Sequence, residues 1–566
     1  MDGRFHNMVS EPQAWCNSTV ANGREGVFAS QLRPVDAAAA DSWVWLAYDQ
    51  LNLAFIKSLN PSESWGVVFV ESPRKAGSRP YHQQKLGVLL SNQRHAAIEL
   101  QALGIPVLYL FSKTNYAMAI EEAVSILGPI HAFNHAEREL RVELAPLTQN
   151  GSLLLHPHPG WITPREWFET SVGVEPPFRM DKFYRKVRKE TGWMMVEGKP
   201  IGGKYSFDAE NRFPWKGDPS APEPPIFAKD GIDDEVESLI ATHYAGHPGQ
   251  VDLRFVPTSL ADVKHALSTA MEALPNFGRY EDAMSERSRG LFHSRLATLL
   301  NLHRIMPIHL AEEVLGRDVP LNSKEGFIRQ LIWREYVHHI HEVTDGFRTL
   351  EVQRLSSTRG AQWPEFQYSD EELHPNHLNQ TMALPQAYWD SSSGMRCLDA
   401  SVEAVMDDGW THHIPRLMVL SNIANLLDVD PRELTDWFHA AFIDAYDWVV
   451  EPNVLGMGTF ALGTAMMTKP YVAGSAYINR MSDHYGSCQF HHKKTCPMTR
   501  LYWAFLDRHS PSFDGNHRMA MAMKNIAKRS QEEKERDQAT FEHVRTMLTS
   551  GKTLRPEGVS SLQDWS

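Results

Sequence analysis

The sequence predicts two structural halves: an α/β domain built on a doubly wound parallel sheet and, after a long linker, an all-helical domain. Three short apolar runs lie near the beginning of the chain, at residues 43–48, 65–70 and 106–111. Such runs are typical of parallel strands that are buried on both faces. A helical stripe of apolar residues between 82 and 103 separates the second run from the third, and Gly104 ends it. Alternating strands and helices favour an open parallel sheet, whereas the chain beyond Asp233 is almost wholly helical in pattern.

Shifts in composition divide the chain into five segments. Residues 1–41 have little periodicity, the stretch 155–160 is rich in Pro, Gly and His, and residues 531–536 are mostly charged. The predicted segments are a flexible N-terminal extension (1–41), an α/β domain (42–150), an interdomain linker (151–235), a helical domain (236–527) and a charged C-terminal tail (528–566).

Capping residues predict three helix starts. Thr163, followed by Pro164 and Glu166, predicts the first N-cap, and Ser259 and Ser323 predict two more. The last two starts belong to the helical half of the chain.

The composition excludes several classes of protein. With 566 residues, of which 22% are charged and 42% hydrophobic, the chain is expected to be a soluble protein of two or more domains. It shows neither an apolar run that could cross a bilayer nor a signal peptide, so we expect a cytoplasmic monomer without membrane contact. Four cysteines are too few for a disulfide framework, which leaves metal ligation or burial for them.

The charge distribution bears on nucleic-acid binding. A net charge of −13 argues against affinity for polyanions over the whole surface. Residues 179–189, however, contain six cations and one anion, with Phe183 and Tyr184 between them. This segment is either a solvated helix face or a phosphate-binding surface.

Seven ordered motifs carry most of the functional information. They are FGRYEDAM (277–284), FIRQLIWREY (327–336), RCL (396–398), THHIPRLM (411–418), DAYDW (444–448), PNVLGM (452–457) and INRMSD (478–483). Together they closely resemble the iron-sulfur bacterial branch of the cryptochrome/photolyase family, which contains the prokaryotic (6-4) photolyases. The resemblance runs from about residue 42 to about residue 525. It implies an antenna-type N-terminal domain and a helical C-terminal domain that binds FAD.

A flavin with a pyrophosphate needs cations or helix N-termini for its phosphates and a close-fitting pocket for its ring. The resemblance assigns this role to Tyr280, His293, Ser294, Arg295, Gln330, Arg334, Asp444 and Asn453.

The turn after the first strand lacks a Gly-x-Gly-x-x-Gly sequence, so a dinucleotide site in the first half is not supported. The resemblance implies an antenna pocket there, bordered by Asp49, Gln50 and Glu71, which in the family often holds 6,7-dimethyl-8-ribityllumazine. The same residues also suit a helix cap and a turn acid.

Two tryptophans match positions that donate electrons in this branch of the family, Trp437 and Trp389. Buried tryptophans usually serve the core, because the indole carries a large apolar surface. Electron transfer to a light-excited flavin is the competing interpretation.

The pair His412-His413 is the strongest candidate for substrate chemistry. An unperturbed histidine titrates near pH ~6.5, so it can give a proton to a lesion and take it back. Reversal of a (6-4) pyrimidine-pyrimidone photoproduct requires such a donor, whereas splitting a cyclobutane dimer requires only electron transfer. The alternative is a pair of hydrogen-bonded structural histidines.

UV-damaged DNA is the expected partner, because repair requires the damaged bases to leave the stack. Trp333 and Tyr471 match family positions that face the lesion or its strand, and Arg185, Lys186 and Arg188 are the candidate phosphate contacts.

The predicted metal site departs from the family. Family members bind a [4Fe-4S] cluster through four thiolates, whose positions align with Cys397, Tyr485, Cys488 and Cys496, so one ligand is a phenol here. Thiolates are the usual ligands of such clusters. The open outcomes are a cluster with an unusual fourth ligand, a labile three-ligand cluster, or none. His484, His491 and His492 lie nearby as possible substitutes and also permit a Cys/His zinc site.

The leading hypothesis is a light-driven (6-4) photolyase that uses reduced FAD. The alternatives are a cryptochrome-like photoreceptor without repair activity, a cyclobutane-dimer photolyase, and a zinc-stabilised DNA-binding protein.

Overall fold

A computed structural model describes residues 26–357 and 373–560 of the protein. Its first half contains one five-stranded sheet. The strands are β1 (Ser42–Trp45), β2 (Trp65–Glu71), β3 (Val107–Phe111), β4 (Ile130–Phe133) and β5 (Leu153–His156). The helices of this half are α1 (Val27–Gln31), α2 (Leu53–Lys57), α3 (Pro73–Ala76), α4 (Gln83–Ala102), α5 (Tyr116–Leu127) and α6 (Arg138–Gln149).

The sheet confirms the predicted doubly wound architecture. Its order is β3-β2-β1-β4-β5, and all neighbouring strands are parallel. The three apolar runs of the sequence form β1, β2 and β3, and α4 is the helix predicted between the last two. The order reverses between β1 and β4, and open α/β sheets form a crevice at such a point.

The second half is helical, as predicted. The connection to it contains α7 (Arg165–Ser171), α8 (Met180–Thr191), the antiparallel strands β6 (Met195–Val196) and β7 (Lys199–Pro200), and α9 (Gly231–His243). The helices that follow are α10 (Leu260–Phe277), α11 (Ala297–Asn301), α12 (Pro307–Gly316), α13 (Leu321–Val343), α14 (Ala387–Asp390), α15 (Arg396–Asp408), α16 (Asn422–Leu426), α17 (Pro431–Ala441), α18 (Asp447–Glu451), α19 (Ser475–Met481), α20 (Met498–Arg508), α21 (Ala520–Lys528), α22 (Gln531–Thr549) and α23 (Pro556–Ser560). The strands β8 (Arg354–Ser356) and β9 (Leu373–Pro375) and the π-helical segments Pro415–Ser421 and Pro452–Gly458 complete this half. Among the helices of the described ranges, none is both long and apolar enough to span a lipid bilayer.

Two predicted boundaries of the α/β domain differ from the structure. Strand β5 pairs with β4 beyond residue 150, so the domain extends into the predicted linker. Helix α1 packs against α9, and its Phe28 is buried between Tyr109 and the Arg94 guanidinium. Residues 27–31 are therefore part of the domain, where the sequence suggested a flexible extension. Elements of four or five residues are too short to show a clear periodicity, which explains both differences.

The C-terminal segment is also packed, at least over its described part. Helix α22 lies against α20 and buries Phe541, Val544 and Leu548. The guanidinium of Arg508 lies 3.4 Å above the Phe541 ring. The charged residues 531–536 form the start of α22 and are exposed or half-exposed, as expected of a solvated helix end. The rest of this helix belongs to the core of the second half.

One of the three predicted N-caps is confirmed. The Ser259 hydroxyl accepts a hydrogen bond from the N–H of Asp262 at the start of α10. The prediction is wrong for Thr163, whose hydroxyl bonds to Glu335, and for Ser323, which lies inside α13 and bonds to the Pro275 carbonyl. Because both hydroxyls hydrogen-bond to residues distant in the sequence, they do not cap their own helices.

We expect Phe541→Ala to lower the free energy of unfolding by about 3–5 kcal/mol, because it leaves a cavity between α20 and α22. Thermal and denaturant unfolding measure the effect. Glu535→Ala on the exposed face of α22 is the control and should change stability by less than about 0.5 kcal/mol. Equal stability of the two variants would mean that α22 does not contribute to the core.

Candidate active site

One of the side chains expected at the flavin site, Asp444, forms a buried ion pair. Asp444 accepts two hydrogen bonds from the Arg416 guanidinium, each at 2.9 Å. Asp444 is buried, and Arg416 belongs to the π-helical segment Pro415–Ser421. The Nε atom of Arg416 also donates to the Thr411 carbonyl at 2.7 Å. The ion pair therefore fixes the backbone immediately before His412.

The α/β domain holds the segment that carries Asp444. The Lys85 ammonium of α4 donates to the carbonyls of His439 and Ala445, both at 2.7 Å. The Asp447 carboxylate accepts the first two N–H groups of α6, at 2.6 and 3.2 Å. Contacts from the first half thus set the position of an acid in the second half.

Three imidazole rings form the centre of the site. The ring of His293 stacks on that of His412, with centroids 4.1 Å apart and planes at 15°, and His413 meets His293 edge-on at 5.4 Å. Nε2 of His293 and Nδ1 of His412 are buried and have no hydrogen-bond partner in the described protein. Burial lowers the pKa of all three rings, so we expect neutral imidazoles at rest.

The ring nitrogens of these three histidines lie within 4.8 Å of one another, a separation that could suit a metal ion. The stacked arrangement argues against this interpretation. The lone pair of an imidazole nitrogen lies in the ring plane, and two nearly parallel stacked rings cannot both direct a lone pair at one ion. The group therefore offers buried ring nitrogens for hydrogen bonds to a bound molecule.

One carboxylate lies beside the imidazoles. Glu281 is buried and accepts hydrogen bonds from Arg329 at 3.0 Å and from Gln330 at 2.7 Å. Burial alone would raise the pKa of Glu281, but Arg329 and His413 outweigh it and keep that pKa below its ordinary value. The carboxylate in turn opposes the effect of burial on the pKa of His413. Of the adjacent histidines 412 and 413, the second is therefore better placed to carry a proton.

Two other predicted flavin residues, Arg334 and Asn453, lie against tryptophans. The Arg334 guanidinium is 4.4 Å from the ring centroid of Trp161 and 5.0 Å from that of Trp448. Asn453 accepts a hydrogen bond from the indole N–H of Trp333 at 3.0 Å. Trp333 thus belongs to the wall of the site.

The remaining predicted flavin residues lie on the loop before α11 and on the preceding turn. The Tyr280 ring stacks on Phe292 with centroids 5.3 Å apart. The Ser294 hydroxyl accepts the Leu296 N–H at 3.4 Å. Arg295 is paired with an aspartate at the end of α15 at 3.2 Å, so its charge is already balanced.

The residues present fit FAD. Nitrogens of His293, His412 and Arg334 are buried without hydrogen-bond partners in the described protein, and each such group costs about 1–3 kcal/mol when left unsatisfied. FAD offers ring nitrogens, carbonyl oxygens and phosphate oxygens that can satisfy them.

The two predicted electron donors are in contact. The rings of Trp389 and Trp437 are 6.1 Å apart, and Trp437 meets Phe442 at 5.7 Å. The Arg416 guanidinium lies 4.2 Å from the Phe442 centroid. Trp389 is partly exposed and Trp437 is fully buried. A line of aromatic rings therefore leads from the surface to the Arg416–Asp444 pair.

The predicted metal ligands also come together. Cys397 is buried at the start of α15, Cys488 and Cys496 are half-buried, and all three are free thiols. The Cys397 thiol interacts electrostatically with both of the others. The Phe490 N–H points at the Cys488 sulfur at 3.4 Å, and the Tyr485 hydroxyl is 3.1 Å from the Cys496 sulfur. The donor set fits an iron-sulfur cluster at three positions, and a phenol lies beside one of the three sulfurs.

A cavity of about 90 Å³ lies where the carboxyl end of the sheet meets the helical half. Tyrosines supply much of its wall: Tyr48, Tyr81, Tyr116 and Tyr446. Glu71 lines the cavity and is held by the Arg94 guanidinium at 2.9 Å. Asp49 and Gln50 are buried nearby and do not line it. Only one of the three predicted antenna residues is therefore at the cavity.

The basic segment divides into structural and exposed cations. Arg188 is buried and donates to three main-chain carbonyls at 2.7–3.1 Å, so the structure does not support the predicted phosphate contact for it. Arg185 is exposed and lies 5.0 Å from the Tyr205 centroid, and Lys186 pairs with Glu190 at 2.6 Å. Arg188 lies on the buried, hydrophobic face of α8. A count of charges in the sequence does not show which face of the helix a residue occupies.

Comparison with known proteins places this site in a family. Residues 44–255 match the family described as deoxyribodipyrimidine photo-lyase-related protein, and residues 327–490 match the FAD binding domain of DNA photolyase. The chain is 30% identical over 489 residues to a (6-4) photolyase of Agrobacterium fabrum, covering 82% of this chain and 91% of that protein.

Solved structures show the same fold. A bacterial class III photolyase from Agrobacterium tumefaciens matches with a TM-score of 0.51 and 15% identity, over 90% of this chain and 98% of that one. A cryptochrome from Synechocystis sp. PCC6803 matches with a TM-score of 0.51 and 14% identity, over 88% and 98%. The architecture is that of photolyases and cryptochromes. The chain belongs to the photolyase-related family, and the helical half carries its FAD-binding domain.

Sequence reasoning missed two charged residues of the site, Arg416 and Glu281. Both lie inside quoted motifs, and Arg416 follows His412 by four residues, which is the spacing of neighbours on a helix. This spacing could have indicated Arg416. The buried position of Glu281 depends on packing against α13, which no local pattern contains.

We expect Arg188→Met to destabilise the protein by on the order of 3 kcal/mol, because three buried carbonyls lose a charged donor. Thermal unfolding measures the loss. The matched control is Arg185→Met on the exposed side of α8, for which the expected change is below about 0.5 kcal/mol. If the Arg188→Met protein is stable but binds DNA more weakly, Arg188 contacts a phosphate and the structural role that we assign to it is wrong.

Proposed function

We propose that the protein is a light-dependent DNA repair enzyme that reverses (6-4) pyrimidine-pyrimidone photoproducts, with FAD as its photoactive cofactor. The observation that carries the proposal is the packing of His293, His412 and His413 beside the buried carboxylate of Glu281. Reversal of a (6-4) lesion needs a proton donor as the electron arrives, and this arrangement provides one. The identity to a (6-4) photolyase over most of the chain supports the same conclusion.

Bound reduced FAD supplies the electron when it absorbs blue or near-ultraviolet light. The residues that would hold it are Tyr280, His293, Ser294, Arg295, Gln330, Arg334, Asp444 and Asn453. Among them, Arg334 would offer Nη1, which makes no hydrogen bond in the described protein and lies 3.5 Å from the Glu335 carboxylate. Asp444 would fix the wall of the pocket through Arg416. The aromatic line from Trp389 through Trp437 would return electrons to the site after light absorption.

The proton donor for the lesion is the pair of histidines His412 and His413. Burial keeps His413 neutral at rest, but it is the ring of the pair that would take up the proton, because the Glu281 carboxylate offsets part of the cost of charging it. It gives this proton to the lesion and takes it back when the bases separate. His412, stacked on His293, stays neutral and serves as a hydrogen-bonding partner for the extruded base.

The DNA must present its damaged bases outside the helix, which costs a few kcal/mol and is least costly at a distorted lesion. Trp333 and the partly exposed Tyr471 would stack against the lesion or its strand. Arg185 and Lys186 on α8 would contact the phosphates. The proposal leaves Arg188 out of the DNA interface.

Two further cofactors belong to the proposal. The tyrosine-lined cavity beside Glu71 suits a flat aromatic antenna such as 6,7-dimethyl-8-ribityllumazine. The thiols of Cys397, Cys488 and Cys496 suit an iron-sulfur cluster, with Tyr485 next to them.

The repair activity is tested with oligonucleotides that carry one (6-4) lesion or one cyclobutane dimer, analysed by chromatography after illumination. We expect restoration of the (6-4) substrate, and we expect His413→Ala to slow it about 10²–10⁴-fold, because a general acid is lost. Light-driven reduction of the flavin should be unchanged in this variant. His309→Ala, which removes an exposed histidine of α12, is the control.

The same assay separates the alternatives. Flavin photoreduction without restoration of either lesion would indicate a cryptochrome-like receptor. Restoration of the cyclobutane dimer alone would indicate a different photolyase. Either result would refute (6-4) specificity.

The pH dependence of repair tests the role of Glu281. The general acid works while His413 is protonated, so activity is present below its pKa and is lost as the pH rises through it. Glu281→Gln removes the carboxylate that raises the His413 pKa and should move this loss of activity to lower pH. The charged and titratable groups facing His413 are Glu281, Arg329, Arg416, Asp208, His293 and His412.

The measurement is the rate of (6-4) restoration between pH 5 and 9 under one light dose, with flavin photoreduction followed in parallel as the control. Because Gln keeps two of the hydrogen bonds around position 281, lower pH should recover activity. A uniform loss at every pH would assign Glu281 a structural role only.

A further inference from the structure

The cysteine site contains a tyrosine, Tyr485, next to its three thiols. Its members are Cys397 at the start of α15, Cys488 and Cys496 on the loop before α20, and Tyr485 in the 3-10 turn His484–Gly486. The segment after α22 covers the site, since the Gln489 amide donates to the Leu554 carbonyl at 3.0 Å. The site is therefore built into the fold of the second half.

The Tyr485 hydroxyl lies 3.1 Å from the Cys496 sulfur, which is a hydrogen-bond distance. In a cluster of four irons, each protein ligand binds a different iron, and ligand atoms at separate corners of the cluster do not touch. A phenol oxygen that is hydrogen-bonded to the Cys496 sulfur therefore shares the corner of that thiolate. It does not stand at a fourth corner of its own.

Each of the three nearby imidazoles has another contact, and the His492 ring also lies 5.5 Å from the Tyr485 ring. Nδ1 of His484 lies 3.1 Å from the Glu286 carboxylate. The rings of His491 and His492 stack on each other at 4.8 Å, and Nδ1 of His491 accepts the N–H of Lys493. The groups of three or more potential ligands that lie within 4.8 Å of one another in the described residues include none at this site, which argues against a mixed Cys/His zinc centre.

We propose that the site holds its iron-sulfur cluster through three thiolates only, and that the Tyr485 hydroxyl donates a hydrogen bond to the Cys496 sulfur instead of binding the fourth iron. This inference rests on the proposed binding of a cluster and is independent of DNA repair. The fourth iron then has no protein ligand and is exchangeable. A hydrogen bond to a ligand sulfur stabilises its negative charge and makes the cluster easier to reduce.

The test uses the full-length protein, purified without oxygen and analysed for iron, sulfide and zinc. One-electron oxidation by ferricyanide should convert the [4Fe-4S]²⁺ core into a [3Fe-4S]⁺ core and one released Fe²⁺, with the electron passing to ferricyanide. The three-iron core is detected by electron paramagnetic resonance. Adding Fe²⁺ and a thiol reductant should remove the signal and restore the four-iron core.

Variants at position 485 separate the hydrogen-bonding role from ligation. Tyr485→Cys supplies a fourth thiolate and should abolish most of the three-iron signal. Tyr485→Phe should keep the signal and the iron content, while the midpoint potential of the cluster shifts to a more negative value. Tyr205→Phe, at a distant tyrosine, should leave both quantities unchanged.

Two results would overturn the inference. A wild-type cluster that keeps four irons on oxidation, together with a Tyr485→Phe protein that loses one, would make the phenol a ligand. Protein that contains zinc, or no metal, would refute cluster binding itself, whereas loss of repair activity alone would not affect the inference.

Discussion

The bidentate ion pair between Arg416 and Asp444 is the interaction on which the site depends. Asp444 lies on a segment that the α/β domain holds through Lys85, and Arg416 holds the carbonyl of Thr411 just before the histidines. The pair thus links the parallel sheet to the proposed chemistry across the domain junction. Because Asp444 is buried, loss of its partner would leave an uncompensated charge, which costs about 3–5 kcal/mol in such settings.

Burial determines the protonation of the site. It lowers the pKa of His293 and His412 well below the ordinary value, because water that would solvate an imidazolium is excluded. The Glu281 carboxylate works in the opposite direction on the pKa of His413 and is not among the causes that shift the pKa of His412. Two chemically identical neighbours in the sequence therefore have different electrostatic surroundings.

The fold class could be predicted from the sequence because its signals are local. The apolar runs of the strands and the stripe of α4 each lie within about twenty residues, and the ordered motifs identified the family. The packing of α1 was not predictable in this way, because a helix of five residues is too short to show a periodicity. In α22 the spacing of Phe541, Val544 and Leu548 does indicate a buried helix face, but the charged start of the segment favoured a solvated tail.

Candidate site residues could be found by type, but not by role. The motifs indicated His412, His413 and Asp444, whereas the stacking on His293 required the fold to bring residues over a hundred positions apart into contact. Arg188 and Arg185 look alike in a charge count, yet one is buried and the other exposed. The face of α8 that packs against the rest of the protein determines which of the two arginines is buried.

The most direct test of the central claim is a crystal structure of the reduced protein, grown in the dark with a duplex that contains one (6-4) lesion. We predict that the lesion is extruded, that it lies within hydrogen-bond distance of the ring of His412 or His413, and that the Arg416–Asp444 pair is intact beside it. A lesion that remains stacked in the duplex, or one bound out of reach of both rings, would contradict the account.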